Sequence, residues 1–307
     1  MAHSGLIRPG HCSIRVMDME PALTHYVEHL GLIKADEDDQ GRVYLKAWDE
    51  HDCFSIVLRE ADSPGMDFMG FKTHGGGELD RLAGKIKDAG HAVEEIPAGE
   101  LTGCGRRLRF EIPSGHQIEL YDEKDYVGNG LGRRNPDPWP RGLKGMKVNR
   151  YDHCLLYGPN IPDNIKFFTE LLEMDLTERV VTPDDTPMVA FFSCSNKAHD
   201  IAFVHHDEPN KFHHASFLLN SWEELLHAAD IMGMEEISID IGPTRHGITR
   251  GRTIYFFDPS GNRNEVFCGD YTWYPDREPI TWDAEEIGKA IFYHDRRLNE
   301  NFLGVVT

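Results

Sequence analysis

His153, His214 and Glu265 put two imidazoles and one carboxylate within reach of a shared chemistry. Imidazole and carboxylate oxygen suit a divalent first-row metal, and two histidines with one acid leave coordination positions open, the ligand pattern of non-haem Fe(II) oxygenases. A single anionic ligand would leave such a centre net positive, so an anionic substrate is favoured. The three residues lie 61 and 51 positions apart, and the short zinc motif HExxH is absent. Only a folded scaffold could bring them together.

The chain has 17 histidines, most of them expected at the surface or in a satisfied core. What selects these three groups is a comparison of the chain with itself. "HCSIRVMDMEPALTHYVEHLGL" begins at His11 and "HCLLYGPNIPDNIKFFTELLEM" at His153, 142 positions later. Beyond the first helix the offset becomes 146, so that "RRLRFEIPSG" meets "RTIYFFDPSG". In this register His153 matches His11, Glu265 matches Glu119, and His214 matches Phe68. The first repeat therefore lacks one of the three groups. His11 and Glu119 leave open a purely structural role for His153 and Glu265. His213, the neighbour of His214, is expected to face the other way, because successive strand residues alternate. Three more polar residues are unmatched: His199 faces Cys53, His246 faces Glu100 and Tyr255 faces Arg109. The second repeat has thus gained proton-handling groups around the same strands.

Stepping outward, each repeat reads as strand, Pro-containing turn and amphipathic helix, then alternating or β-branched segments such as "RVYLKAW" and "CFSIVLRE" in one copy and "MVAFFSC" and "HDIAFVHH" in the other. A second helix follows in each half. In "SWEELLHAADIMG", Ser221 is the expected N-cap, Glu224 completes a capping box, and Gly233 is the expected stop. The order is β-α-β-β twice per half. The connector "NGLGRRNPDPWPRGLKG" is rich in proline and glycine and marks a boundary. We expect an N-terminal domain at 1–134, a linker at 135–147, a C-terminal domain at 148–280, and one C-terminal helix in 281–307.

The bulk properties narrow the function. With 307 residues, two domains of about 150 are the natural expectation. A net charge of −20 argues against a nucleic-acid-binding face. No apolar run approaches the ~20 residues of a membrane helix, and the first residues do not read as a signal peptide. The six cysteines are scattered without a CxxC pair, which fits a reducing cytoplasm better than a disulfide framework.

"HGITRGRTIYFFDPSGNRNE", residues 246–265, resembles the signature of the extradiol ring-cleaving dioxygenases of the vicinal oxygen chelate superfamily. It carries His246, Ile254–Tyr255, Asp258-Pro259-x-Gly261 and Glu265. "RPGHCSIRVMDM", "DDQGRVYLKAW", "GMDFMGFK", "SIDIGPTRHG" and "AIFYHDRRLNE" extend the resemblance to catechol 2,3-dioxygenases across essentially the whole chain. The resemblance implies an α+β protein of two domains, each two β-α-β-β-β modules forming an open eight-stranded barrel. It implies a mononuclear Fe(II) in the C-terminal domain only, held by His153, His214 and Glu265. It places His199, His246 and Tyr255 around the substrate, with His199 as acid–base, and Phe191, Ile291 and Phe302 on the pocket wall. It further implies a homotetramer that cleaves catechol with O2 outside the diol, giving 2-hydroxymuconate semialdehyde.

Two other readings share the fold. A glyoxalase-like isomerase would use Zn, Ni or Co and about four protein ligands, where three are found. A metal-free ligand-sequestering protein would need no matched ligand set. Manganese in place of iron stays open, since these ligands accommodate both.

Overall fold

The computed structural model describes residues 4–307. The repeat is built as two mixed sheets. In chain order the first contains β1 (Leu6–Val16), β2 (Ile33–Glu37), β3 (Val43–Lys46), β4 (Ile56–Glu60), β5 (Gly65–Thr73), β6 (Glu94–Ile96), β7 (Arg107–Glu111) and β8 (Gln117–Tyr121). The second contains β9 (Arg150–Gly158), β10 (Asp175–Val181), β11 (Pro187–Ser193), β12 (Ile201–His205), β13 (Lys211–Leu218), β14 (Ile239–Arg245), β15 (Arg252–Phe257), β16 (Arg263–Cys268) and β17 (Ile280–Asp283). The spatial order β2-β3-β4-β1-β5-β8-β7-β6 is repeated as β10-β11-β12-β9-β13-β16-β15-β14, and β17 adds to the free edge of β10. Neither sheet closes on itself, so each is an open cup assembled from two β-α-β-β-β modules.

Each half is therefore one strand per module richer than its residues suggested. The strands that escaped are instructive. β2, "IKADE", is exposed at every position and shows no apolar face. β6 has three residues, two of them exposed. Edge strands of this kind are set by pairing to a neighbour, and their own sequence carries little of the signal.

The helices follow their patterns. α1 (Met19–Leu23) is capped by Asp18, whose side chain accepts from the Glu20 amide, and runs on as a wider π-type turn over Thr24–His29. α2 (Gly76–Asp88) buries Leu79, Leu82, Ala83 and Ile86, one stripe at helical spacing. α3 (Ile161–Lys166) runs on into the same kind of turn over Phe167–Leu171. In α4 (Trp222–Met234) Ser221 accepts from the Glu224 amide as expected. The expected stop at Gly233 is displaced: the helix runs through it, and the chain reverses at Glu236, which takes the left-handed conformation with φ +52°.

β1 and β9 are buried along nearly their whole length. They are the central strands of the two sheets and meet back to back, with Cys12 Sγ 3.7 Å from Cys154 Sγ. One apolar cluster, including Ile14, Phe71, Leu156 and Phe192, runs through both halves. The polar seam is tied by the Tyr26 hydroxyl donating to Asp258 at 3.1 Å and by Asn262 donating to the Arg15 carbonyl at 2.8 Å.

Between Tyr121 and Arg150, a span that contains the linker expected at 135–147, the chain forms isolated bridges at Lys124 and Tyr126 and otherwise turns and irregular structure. The expected single C-terminal helix is not formed. Residues 280–283 pair as β17, a 3-10 turn covers Ala284–Glu286, and two five-residue helices follow, α5 (Ile287–Ile291) and α6 (Glu300–Gly304). This segment is fixed by docking onto the cup more than by its own propensity: backbone bonds join Phe212 and Thr307, and Arg263 donates to the Val305 carbonyl at 2.7 Å. No helix is long and apolar enough to cross a membrane among the described residues.

Candidate metal centre and substrate cavity

A single cross-strand row carries the site. His153 on β9 lies opposite Ser216 on β13, Ser216 opposite Glu265 on β16, and Glu265 opposite Tyr255 on β15. Directly opposed residues of neighbouring strands share a face, so all four point into the second cup. The equivalent row of the first cup is His11, Gly70, Glu119 and Arg109.

His214 lies next to this row. Pairing between β13 and β9 skips from Phe212 to His214, leaving His213 as the extra residue of a bulge. This overturns the simple alternation expected for the two histidines: their Nδ1 atoms lie 2.7 Å apart.

The candidate ligand atoms converge. His153 Nε2 is 3.0 Å and His214 Nε2 3.5 Å from Glu265 Oε2, and one ligand atom from each residue lies within 4.8 Å of the others. All three side chains are buried. Glu265 is aimed by the Ser216 hydroxyl on Oε2 and the Thr253 hydroxyl on Oε1, each at 2.5 Å. His153 is aimed from behind, with Nδ1 3.0 Å from Asp152 Oδ2. Asp152 is in turn held by Lys197 at 3.1 Å and Arg150 at 2.9 Å.

Electrostatics agree with a cation site. Burial works against charge on His153, but the carboxylates of Asp152 and Glu265 outweigh it and raise its affinity for a proton. Burial likewise works against the Glu265 carboxylate, and the surrounding His153, His214 and His246 pull it well below the usual range. A proton at these atoms competes with a divalent cation for the same lone pairs. His214 Nε2 is buried with no hydrogen-bond partner, as a nitrogen reserved for a ligand bond would be. Two nitrogens, one carboxylate oxygen and an aimed second layer fit a first-row divalent metal.

The cluster forms the floor of a mostly apolar cavity whose wall includes Leu155, Phe191, Ile248, Ile291, Phe302 and Phe267. Phe191, Ile291 and Phe302, named from sequence, all lie on this wall. His199, His246 and Tyr255 also face the cavity. The His199 ring is 3.9 Å from that of His153, and its buried Nδ1 has no partner. Burial, reinforced by the charge on His153, drives the His199 pKa well down, so the ring is neutral. His246 Nδ1 donates to the Ile291 carbonyl, so its Nε2 accepts from the Tyr255 hydroxyl at 2.9 Å.

Sequence reasoning passed over Asp152, Lys197, Ser216 and Thr253. The repeat register held the signal: they match Gly10, His51, Gly70 and Arg107. A serine hydroxyl replaces a glycine and a threonine hydroxyl an arginine, which individually look unremarkable.

Comparison with known proteins agrees with this geometry. Residues 66–125 match the catechol 2,3-dioxygenase-like N-terminal domain, and residues 150–266 match the glyoxalase/bleomycin resistance protein/dioxygenase superfamily. The chain is 59% identical over 304 residues to metapyrocatechase of Pseudomonas sp. strain CF600, covering 99% of both chains. It is 26% identical to a manganese-dependent 2,3-dihydroxybiphenyl 1,2-dioxygenase of Geobacillus genomosp. 3, over 93% of this chain and 92% of the relative. Among solved structures, the 2,3-dioxygenase LapB of Pseudomonas sp. KL28 superposes with a TM-score of 0.90 at 52% identity, over 92% of this chain and 99% of that one. Homoprotocatechuate 2,3-dioxygenase of Brevibacterium fuscum shares the fold at 24% identity, with a TM-score of 0.89 over 99% of this chain and 93% of that one. On its near full-length identity to metapyrocatechase, the chain belongs to the metal-dependent extradiol dioxygenases of the metapyrocatechase family.

Proposed function

We propose that this enzyme cleaves catechol with O2 at the 2,3 bond, giving 2-hydroxymuconate semialdehyde in bacterial aromatic-compound degradation, at a mononuclear Fe(II) held only in the second cup. The observation that carries the reading is the convergence of His153, His214 and Glu265 at the floor of a mostly apolar cavity. Iron bound by these residues would supply the one-electron chemistry that lets ground-state O2 react with closed-shell catechol, and would acidify the catechol hydroxyls.

The chain's own residues do the rest. Leu155, Phe191, Ile248 and Ile291 accept a planar ring and exclude water from it. Neutral His199 faces the floor with a free nitrogen. It is the acid–base, taking a proton from a catechol hydroxyl and returning it when the ring opens, a traffic suited to imidazole. The Tyr255 hydroxyl gives its one hydrogen to His246 Nε2 in the substrate-free site and would turn it onto the substrate oxygens as their charge grows. Glu265 would be the one anionic ligand, and the Ser216 and Thr253 hydroxyls fix its orientation. Two substrates brought to one floor gain the rate advantage of proximity.

The isomerase and sequestering alternatives gain no support. Three ligand groups converge where the isomerases need about four, and the relatives named above are a metapyrocatechase and three dioxygenases by name. By the family reading the enzyme is a cytoplasmic homotetramer, which light scattering on the purified protein tests.

The test of function is an anaerobic reconstitution with Fe(II), followed by catechol and then air. The expected result is a yellow ring-opened product identified by mass as the semialdehyde. Formation of cis,cis-muconate, or no turnover with ferrous iron bound at one per chain, would refute the reading. Activity restored by Mn(II) and not by Fe(II) would reassign the metal.

A further inference from the structure

A ligand histidine needs its far nitrogen fixed, so that the near one presents a lone pair. Asp152 does this for His153. His214 has no acid behind it. Its Nδ1 meets instead Nδ1 of His213 at 2.7 Å, a buried residue the proposed chemistry leaves unused.

The other nitrogen of His213, Nε2, lies 2.9 Å from the Phe302 carbonyl oxygen in α6. A carbonyl only accepts, so this nitrogen carries hydrogen. The His213 ring is stacked on Tyr157 at 4.7 Å and packed edge-on against Phe302 at 4.7 Å, with Arg263 close enough to bond the His213 carbonyl. An imidazole whose one hydrogen is committed at Nε2 to the Phe302 carbonyl presents a lone pair at Nδ1. The short contact then has one solution: His214 donates from Nδ1. That leaves Nε2 of His214 with a lone pair, buried, unpartnered and 3.5 Å from Glu265.

The bulge makes the contact possible, and it belongs to the fold. In the first repeat the pairing of β1 with β5 also skips a residue, from Met66 to Phe68. The skipped residue, Asp67, binds Arg15 and Arg59. The same extra position thus holds a salt-bridge partner in one half and a histidine against the candidate ligand in the other.

We propose that His213 is the positioning residue for His214, and that the C-terminal segment, through the Phe302 carbonyl, locks His214 in the tautomer that binds metal. The inference rests on the ligand set proposed above. It gives α6 a second role beyond walling the cavity, since its docking is read out at the metal.

The experiment compares full-length wild type, His213→Phe and His213→Asn. Fe(II) affinity is measured anaerobically against a competing chelator, and melting of the metal-free proteins is followed in parallel. An asparagine amide oxygen near the former Nδ1 accepts from His214, while phenylalanine cannot. His213→Phe should weaken Fe(II) binding about 10–100-fold, with His213→Asn restoring most of it. Both should lower metal-free melting, because both strip the Phe302 carbonyl of its donor. Equal metal affinities in all three, or equal losses in both variants, would overturn the proposal. A wild type that takes up no Fe(II) would overturn the ligand set itself, and this proposal with it.

Discussion

Lys124 sets its ammonium 3.1 Å from Nδ1 of His11, the nitrogen that in His153 faces Asp152. This contact reverses the polarity of the histidine. An ammonium only donates, so His11 accepts at Nδ1 and carries its hydrogen on Nε2, which donates to Glu119 at 3.1 Å. Burial and the Lys124 charge bring His11 down to about 3. Arg107 grips both Glu119 oxygens at 2.7 Å and Arg109 adds bonds at 2.6 and 2.8 Å. Burial alone would raise Glu119, but His11 and the two arginines outweigh it and bring it to about 2. Guanidinium charge thus does in the first cup what a metal would do in the second.

It follows that Phe68 is one of several barriers to a site in the first cup. Phe68→His would supply the third group but leave His11 in the wrong tautomer and Glu119 already neutralised. We expect metal content to stay at one ion per chain in this variant, measured by elemental analysis after reconstitution. Two ions per chain would refute the tautomer argument.

Asp152 makes the converse prediction. Asp152→Asn keeps the shape and an acceptor oxygen but removes the charge that polarises His153. Fe(II) affinity should fall about 10–100-fold, read by chelator competition, with the cavity residues untouched. An affinity equal to wild type would show that Asp152 serves only to bury Lys197.

How much of this was legible before the structure depended on the repeat. His214 and Tyr255 stood out because their first-half counterparts are Phe68 and Arg109, while His153 and Glu265 are matched by His11 and Glu119 and join His214 only as members of one ligand set. The same doubling gave two similar halves of strand-helix-strand-strand order, and the open eight-stranded barrel came from the family resemblance. What sequence could not give was the contact between elements distant in the chain. The His213–His214 pair needed a bulge, which depends on how β13 pairs with β9 and leaves no local mark. β2 and β6 went unread because exposed edges need no apolar face. The C-terminal segment, which has no counterpart in the repeat, read as one helix. In the structure Phe292 and Phe302 instead cluster with Tyr255, and Phe302 and Leu303 line the cavity.

A pH dependence follows from His116, which is not part of the metal cluster. Its Nε2 donates to the Lys211 carbonyl at 3.0 Å, tying the two halves, and its Nδ1 accepts from Ser114 at 2.9 Å. Both bonds suit the neutral ring. Burial lowers its pKa to about 4, only partly opposed by the Lys211 carbonyl. The folded value lies below the unfolded one of about 6.5, so the unfolded chain binds more protons between them, and stability falls as pH drops through that window. Above pH ~6.5 the His116 contribution is complete. His116→Gln should flatten the melting temperature between pH ~6.5 and ~4 relative to wild type, at the cost of a lower value at neutral pH. Parallel pH profiles for the two proteins would show that other groups set acid lability.

The pair Tyr255 and His246 gives a prediction that separates binding from chemistry. His246 Nδ1 is committed to the Ile291 carbonyl, so its Nε2 holds the phenol hydroxyl at 2.9 Å. Burial raises the Tyr255 pKa well above its ordinary value, which keeps it a donor throughout the neutral range. If that hydrogen turns from His246 Nε2 to oxygens whose charge grows only as the ring opens, Tyr255→Phe should lower kcat about 10²–10³-fold. KM for catechol and the metal content should stay near wild type, because ground-state binding rests on the apolar wall and the ligand set. His246→Phe removes the partner that orients the phenol, so the double variant should cost little more than the larger single loss, as for residues acting as one unit. Steady-state kinetics with catechol at saturating O2 for the three variants checks this. A rise in KM with kcat intact would move Tyr255 from the reacting oxygens to the pocket wall.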